Sequence, residues 1–166
     1  MTASRKILLF GGLILAAFGM LYGLQYALFQ EHQTLDQMGG SLAQSFAAAA
    51  SRDVAQSQSA LVRYGETKYD YVRQVDAHSH WIGLAMLLIV MGIVFHRVNF
   101  TEQIRQLVAF CLLAGSVLFP LAVMLQTFHH GALLYKALAV IGPALVIAAL
   151  GAACWGFTRA GAPANY

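Results

Sequence analysis

The chain has 166 residues, of which 59% are hydrophobic and 10% are charged. Soluble domains carry about 25% charged residues, so this composition excludes an ordinary soluble domain and is typical of a membrane protein. The formal charge of +3 is accompanied by no basic run with interleaved aromatic residues. The sequence therefore predicts no nucleic-acid partner.

Four predominantly apolar runs are long enough to cross a bilayer, which takes about 20 residues of helix per span. The predicted spans cover residues 7–30, 79–98, 104–129 and 133–157. Residues 31–78, between the first two spans, are rich in helix formers and predict a helical outer loop with one or two helices. We therefore expect an all-α, integral membrane four-helix bundle that forms a single domain over residues 1–166.

Small residues mark one face of the first span. Gly12, Ala16, Gly19 and Gly23 recur at spacings of four, three and four residues, which places them on one stripe of the helix. In lipid, small residues allow helix backbones to approach closely. This stripe is therefore predicted to face a partner helix.

Basic residues close to the spans predict the orientation, because cytoplasmic loops carry an excess of Lys and Arg. With the N-terminus inside, the cytoplasmic side holds Arg5, Lys6, Arg97, Arg105 and Arg159, whereas the short outer loop between the last two spans holds Lys136. We expect both termini in the cytoplasm, with a bacterial inner membrane as the simplest location.

This topology gathers five of the six histidines at the outer face. They are His32, His78, His80, His129 and His130. Ionisable residues at the boundaries of spans, facing a bundle interior, are candidates for function. The sixth, His96, lies next to Arg97 at the inner face and is predicted to have no cofactor role.

Histidines from two facing helices, with few carboxylates in the spans, favour a b-type haem held by two axial imidazoles. Residues two apart differ by about 200° around a helix, so one ligand from each histidine pair is expected. His80 and His129 are the expected ligands, with His78 and His130 as the alternatives. His129 shares a face with Ala122 and Gly115, which predicts room for a flat ring. Lys136, Arg73 or Arg63 would pair with the haem propionates.

Two alternatives remain open. Copper or zinc would be held at the outer surface by three of His32, His78, His80, His129 and His130, since imidazole suits both ions. In the other alternative, the chain is a structural accessory subunit whose histidines bind no ligand. No nucleophile, P-loop or paired-carboxylate motif occurs, so an electron-transfer or accessory subunit is favoured over a catalytic chain.

The stretch AHSHWIGLAMLLIVMG, centred on His78, His80 and Gly83, resembles the AHxHxxxxG helix of small membrane proteins distantly related to the haem-copper oxidase catalytic subunit. The resemblance implies haem or copper ligation at His78 or His80, with TFHHG supplying the partner at His129 or His130. The histidine and tyrosine pattern of the oxygen-reducing centre is missing, so the resemblance does not extend to oxygen reduction.

The predicted function is that of a membrane b-type cytochrome or electron-transfer subunit of a larger redox complex. Its partners would be other subunits of that complex, membrane quinol and an outer-face redox protein.

Overall fold

Five α-helices and a short 3₁₀ turn make up the part of the protein that the computed structural model describes, residues 1–128 and 132–159. The helices are α1 (Ala3–Phe29), α2 (Glu31–Ala50), α3 (Val54–Val94), α4 (Glu102–Leu125) and α5 (Leu133–Thr158), and the 3₁₀ turn covers Phe95–Arg97. These residues contain no strand. The predicted all-α fold is confirmed.

Four of the helices are long and apolar enough to cross a membrane. They are α1, α3 together with the 3₁₀ turn, α4 and α5, and their most apolar 18-residue windows have mean hydropathies of 1.8 to 2.5. The helices pack on one another as a bundle, in which α3 contacts α1, α2 and α4 while α5 packs mainly on α4. The chain is therefore an integral membrane helical bundle, as the composition predicts.

The segment between the first two predicted spans differs from a loop. At 1.5 Å per residue the 41 residues of α3 extend about 61 Å, twice the thickness of the hydrocarbon core. The first half of α3 pairs with α2, and its second half pairs with α1. The expected outer helices exist, but the span that was predicted to begin at residue 79 continues a helix that begins at Val54.

A three-residue turn joins α2 to α3. Arg52 has a left-handed backbone conformation, with φ of 59°, and the Asp53 side chain accepts a hydrogen bond from the backbone N–H of Gln56 at 2.9 Å. Asp53 thereby caps the first turn of α3. A capping aspartate followed by helix formers is the sequence signal for this early start.

The stripe of small residues on α1 faces α3, as predicted. A Cβ added at Gly12 would lie 3.0 Å from the carbonyl oxygen of Ala85, and one added at Gly19 would lie 3.0 Å from Cβ of Trp81. Trp81 is buried between α1 and the rest of the core. The glycines thus bring α1 against α3 closely enough to pack the aromatic core of the bundle.

Candidate functional site

His78 lies on α3 with its ring turned toward α1. Its Nδ1 is 2.9 Å from the carbonyl oxygen of Gly19. Because a carbonyl oxygen can only accept, Nδ1 carries the hydrogen and donates it. Cε1, Nδ1 and Nε2 of the ring are the atoms that a Cβ at Gly23 would meet. His78 therefore joins two membrane helices, with its ring packed over a glycine.

His80 faces a different helix. Its ring centroid lies 4.5 Å from that of Phe119 on α4, with the two ring planes inclined by 42°. His78 and His80 thus point toward different helices, as expected for residues about 200° apart around a regular helix. The expectation that one of this pair is a ligand stays a prediction. Of the two, His80 is the histidine on the α4 side of α3.

The remaining described histidines lie apart from His78 and His80. His32, near the start of α2, has 89% of its side chain exposed and its Nε2 is 3.4 Å from a carboxylate oxygen of Asp36. His96, in the 3₁₀ turn, is exposed, and its Nδ1 contacts the carbonyl oxygen of Ile93 at 3.1 Å. Within residues 1–128 and 132–159, no three His, Cys, Asp or Glu side chains are grouped closely enough to hold a metal ion.

His129 and His130 lie outside the described residues, so their predicted role as ligands stays a prediction. The face of α4 expected to leave room beside His129 is described in part. At Gly115 an added Cβ would lie 2.6 Å from the carbonyl oxygen of Gly142. The expectation of room for a flat ring at Gly115 is therefore wrong, because the backbone of α5 fills that space.

Gln126 and Phe128, which come just before His129 and His130 in the sequence, lie outward of His80. Gln126 accepts a hydrogen bond from the hydroxyl of Tyr69 at 3.2 Å, and Phe128 lines a cavity with Gln74. Tyr69 and Gln74 precede His80 by eleven and six residues, or about 16 and 9 Å along α3. The described end of α4 thus approaches α3 at a shallower depth than His80.

A cavity of about 730 Å³ opens at this shallower level, and we call it the outer cavity. Its lining residues are Val62, Gly65, Glu66, Tyr69, Arg73, Gln126 and Lys136. Gln126 is buried, with 6% of its surface exposed, and the Arg73 guanidinium lies 5.0 Å from the centre of the Tyr69 ring. The lining carries two cations, Arg73 and Lys136, and one carboxylate, Glu66, so the excess of positive charge suits an anionic group.

Arg73 and His80 share a face of α3, because a separation of seven residues is close to two full turns. His80 is about 10 Å deeper along the helix than Arg73. Two of the three cations suggested by the sequence, Arg73 and Lys136, line the outer cavity. Arg63 instead donates a hydrogen bond of 2.7 Å to Gln44 on α2.

Tyr69 and Gln126 are site residues that the sequence reading missed. Their contact pairs a tyrosine that precedes the second predicted span with the polar residue that follows α4, and no motif links them. Comparison of the chain with models of known protein families, with curated proteins and with solved structures found no match.

Proposed function

We propose that the chain is a b-type cytochrome or electron-transfer subunit of a larger membrane redox complex, with one haem toward the outer face and His80 as an axial ligand. The observation that carries the proposal is the shared face of α3. On that face the imidazole of His80 is followed, about two turns outward, by Arg73 at the wall of the outer cavity. A haem held at His80 would direct its two carboxylates outward, toward Arg73.

The residues present fit such a group in their chemistry. The ring of His80 contacts an aromatic side chain, Phe119, rather than a backbone carbonyl. The outer cavity, of about 730 Å³, would hold the carboxylate edge of the haem, and His80 is not among its lining residues. Phe119 would have to turn away before a ligand could reach the imidazole, and the second axial ligand would come from His129 or His130.

Each described residue has a defined task in this proposal. Arg73 and Lys136 would neutralise the two haem carboxylates at the outer edge. A haem carboxylate would then replace Asp76, which lies 4.0 Å from Arg73, as the partner of that arginine. Packing of α3 against α4 would keep water from His80. When bound, a haem with two neutral imidazole ligands takes up and releases one electron without needing an open coordination site.

The proposed setting follows the distribution of charge. Both termini would lie in the cytoplasm of a bacterial inner membrane, and α2 with the first half of α3 would project from the outer face. The electron donor would be membrane quinol and the acceptor an outer-face redox protein or another subunit of the complex.

A second candidate is a structural accessory subunit that binds no cofactor. The contact of His78 with Gly19 and Gly23 favours it, because this imidazole has a complete role in joining α3 to α1. Under this proposal His80 would likewise serve packing, against Phe119.

The two candidates differ in a reduced-minus-oxidised spectrum of the purified chain. A sharp b-type band is expected for the cytochrome, and it should be lost in His80→Ala. His32→Ala and His96→Ala are matched controls, because both side chains are exposed and neither lines the outer cavity; they should keep the band.

Metal analysis of the same samples should give an iron content that is proportional to the intensity of the b-type band. A full band in His80→Ala would exclude this ligand, and an absence of iron and copper from the native chain would favour the structural role. Copper without a b-type band would support the copper alternative instead.

A further inference from the structure

Two neighbouring cavities are lined by residues of α1, α3 and α4, and we call them together the cleft; the deeper one is apolar and the outer one is polar. Its deeper part, the apolar groove, has a volume of about 450 Å³ and is lined by Gly11, Ile14, Leu15, Phe18, Trp81, Leu113, Val117 and Leu121. Ile14 and Phe18 expose more than half of their surface toward the surrounding lipid. The groove is therefore accessible from the bilayer.

Its outer part, the polar cavity, has a volume of about 310 Å³. It is lined by Tyr22, Gln25, Gln30, Asp70, Gln74, Met124, Thr127 and Phe128. Phe18 in the groove and Tyr22 in the cavity are one turn apart on α1, and both rings contact Trp81 edge-on, with centroids at 4.9 and 5.1 Å. On α4, Leu121 lines the groove and Met124, about one turn further outward, lines the polar cavity. The two spaces therefore stack one turn apart.

The polar cavity contains a buried acceptor without a donor. The side-chain carbonyl oxygen Oε1 of Gln74 is buried and has no hydrogen-bond partner among the described residues. A buried acceptor left without a donor is unfavourable, and a ligand hydroxyl would relieve it. Among the described lining residues none is a lysine or arginine, and the charged one is Asp70.

We propose that this cleft binds a membrane hydroquinone, with the apolar tail in the groove and the ring hydroxyls in the polar cavity. A hydroquinone supplies the donor that Gln74 needs, whereas the oxidised quinone offers acceptors alone. The phosphate of a phospholipid likewise offers acceptors alone and would leave Oε1 of Gln74 without a donor. The choice of a quinol over other lipids with hydroxyl groups rests on the proposed electron-transfer function, but the position of the site rests on the cleft.

Trp81 lines the groove, so its fluorescence would report on the occupancy of the groove. In Trp155→Phe, which removes the exposed tryptophan of α5, Trp81 is the remaining indole of the chain. Decylbenzoquinol added to this variant in phosphatidylcholine nanodiscs should quench its fluorescence to saturation. The oxidised decylbenzoquinone should need at least about a tenfold higher concentration for half saturation.

Gln74→Leu should raise the half-saturating quinol concentration by about tenfold or more, while Gln58→Leu, an exposed glutamine on the same helix, should leave it unchanged. Quenching that does not saturate would indicate partition into lipid and overturn the site. Equal binding of quinol and quinone by the Trp155→Phe chain would overturn the role of Gln74 even if Gln74→Leu failed to fold. Competition by phosphatidylglycerol at equal mole fraction would assign the cleft to phospholipid.

The same titration in His80→Ala separates this inference from the cytochrome. Binding that persists without a b-type band supports the quinol cleft alone. A native chain with a b-type band and no saturable quenching overturns the quinol cleft alone.

Discussion

Nδ1 of His78 lies 2.9 Å from the carbonyl oxygen of Gly19, and the same ring covers Gly23 one turn outward. The imidazole of His78 on α3 and two glycines on α1 thus form one contact between these helices. A hydrogen bond combined with close packing between two helices fixes them in depth as well as in distance.

Gly23→Ala should destabilise the bundle by about 1–3 kcal/mol, because the new methyl group meets the imidazole of His78 and forces that ring aside. Thermal unfolding in mild detergent measures the effect. The matched control is Gly83→Ala, since a Cβ at Gly83 meets nothing within 4 Å, and alanine there should leave stability unchanged or raise it by up to about 1 kcal/mol.

The double variant Gly23→Ala with His78→Ala tests the contact itself. Removal of the ring makes room for the methyl group, so the two changes should be non-additive by about 0.5–3 kcal/mol. Simple additivity would show that Gly23 and His78 do not share a contact.

Gly142→Ala should separate α4 from α5. A Cβ at this position would lie 2.7 Å from the backbone nitrogen of Phe119 and 2.8 Å from its Cα. Backbone atoms cannot turn aside as a side chain can, so we expect a loss of more than about 2 kcal/mol in unfolding free energy. Gly151→Ala, on the same helix and with nothing within 4 Å of the new Cβ, should unfold at the native temperature or above. Equal unfolding temperatures for the two variants would contradict this packing.

Glu102→Gln should loosen the inner end of α1. One carboxylate oxygen of Glu102 accepts a hydrogen bond of 2.9 Å from the backbone N–H of Ser4, and the other is 2.9 Å from Arg105. The neutral amide loses the ion pair and weakens a charge-assisted bond, at a cost of about 1 kcal/mol. Hydrogen exchange of the Ser4 amide should accelerate, whereas Glu66→Gln on the outer part of α3 should leave that rate unchanged. Unaltered exchange in Glu102→Gln would show that other contacts hold this end of α1.

Ser51→Cys should react from outside the cell with a membrane-impermeant maleimide. The residue is exposed in the turn between α2 and α3, and α2 carries it about 30 Å from the end of α1. The background is Cys111→Ala with Cys154→Ala, which removes both native thiols. Thr101→Cys in the same background, exposed in the short connection to α4, should react after the cells are opened. The reverse pattern of labelling would place both termini outside.

Much of the fold was predictable because lipid imposes simple rules on sequence. Runs of about 20 apolar residues give the spans, and the spacing of Gly12, Ala16, Gly19 and Gly23 gives the face on which α1 meets α3. The start of α3 was not predicted, because the hydropathy of the sequence changes near residue 79 whereas the backbone continues through that point as one helix. Gly65 has open space around it, and its cost of about 1 kcal/mol does not end a helix that is paired with α2.

The candidate site was less predictable. The opposite directions of His78 and His80 follow from the helical repeat, but which of them meets a glycine and which a phenylalanine depends on how α1 and α4 are placed around α3. The outer cavity likewise depends on Tyr69 and Gln126, which are 57 residues apart in sequence.

The sequence by itself determined the membrane class, the four spans and the small-residue face of α1, because hydrophobic length and helical periodicity are local properties. The tertiary structure alone decided that the ring of His78 packs on Gly23, that α5 fills the face at Gly115, and that Arg73 and Lys136 meet at one cavity. The physical reason is that these contacts join residues on different helices, whose rotation and depth are set by packing across the whole bundle rather than by any one segment.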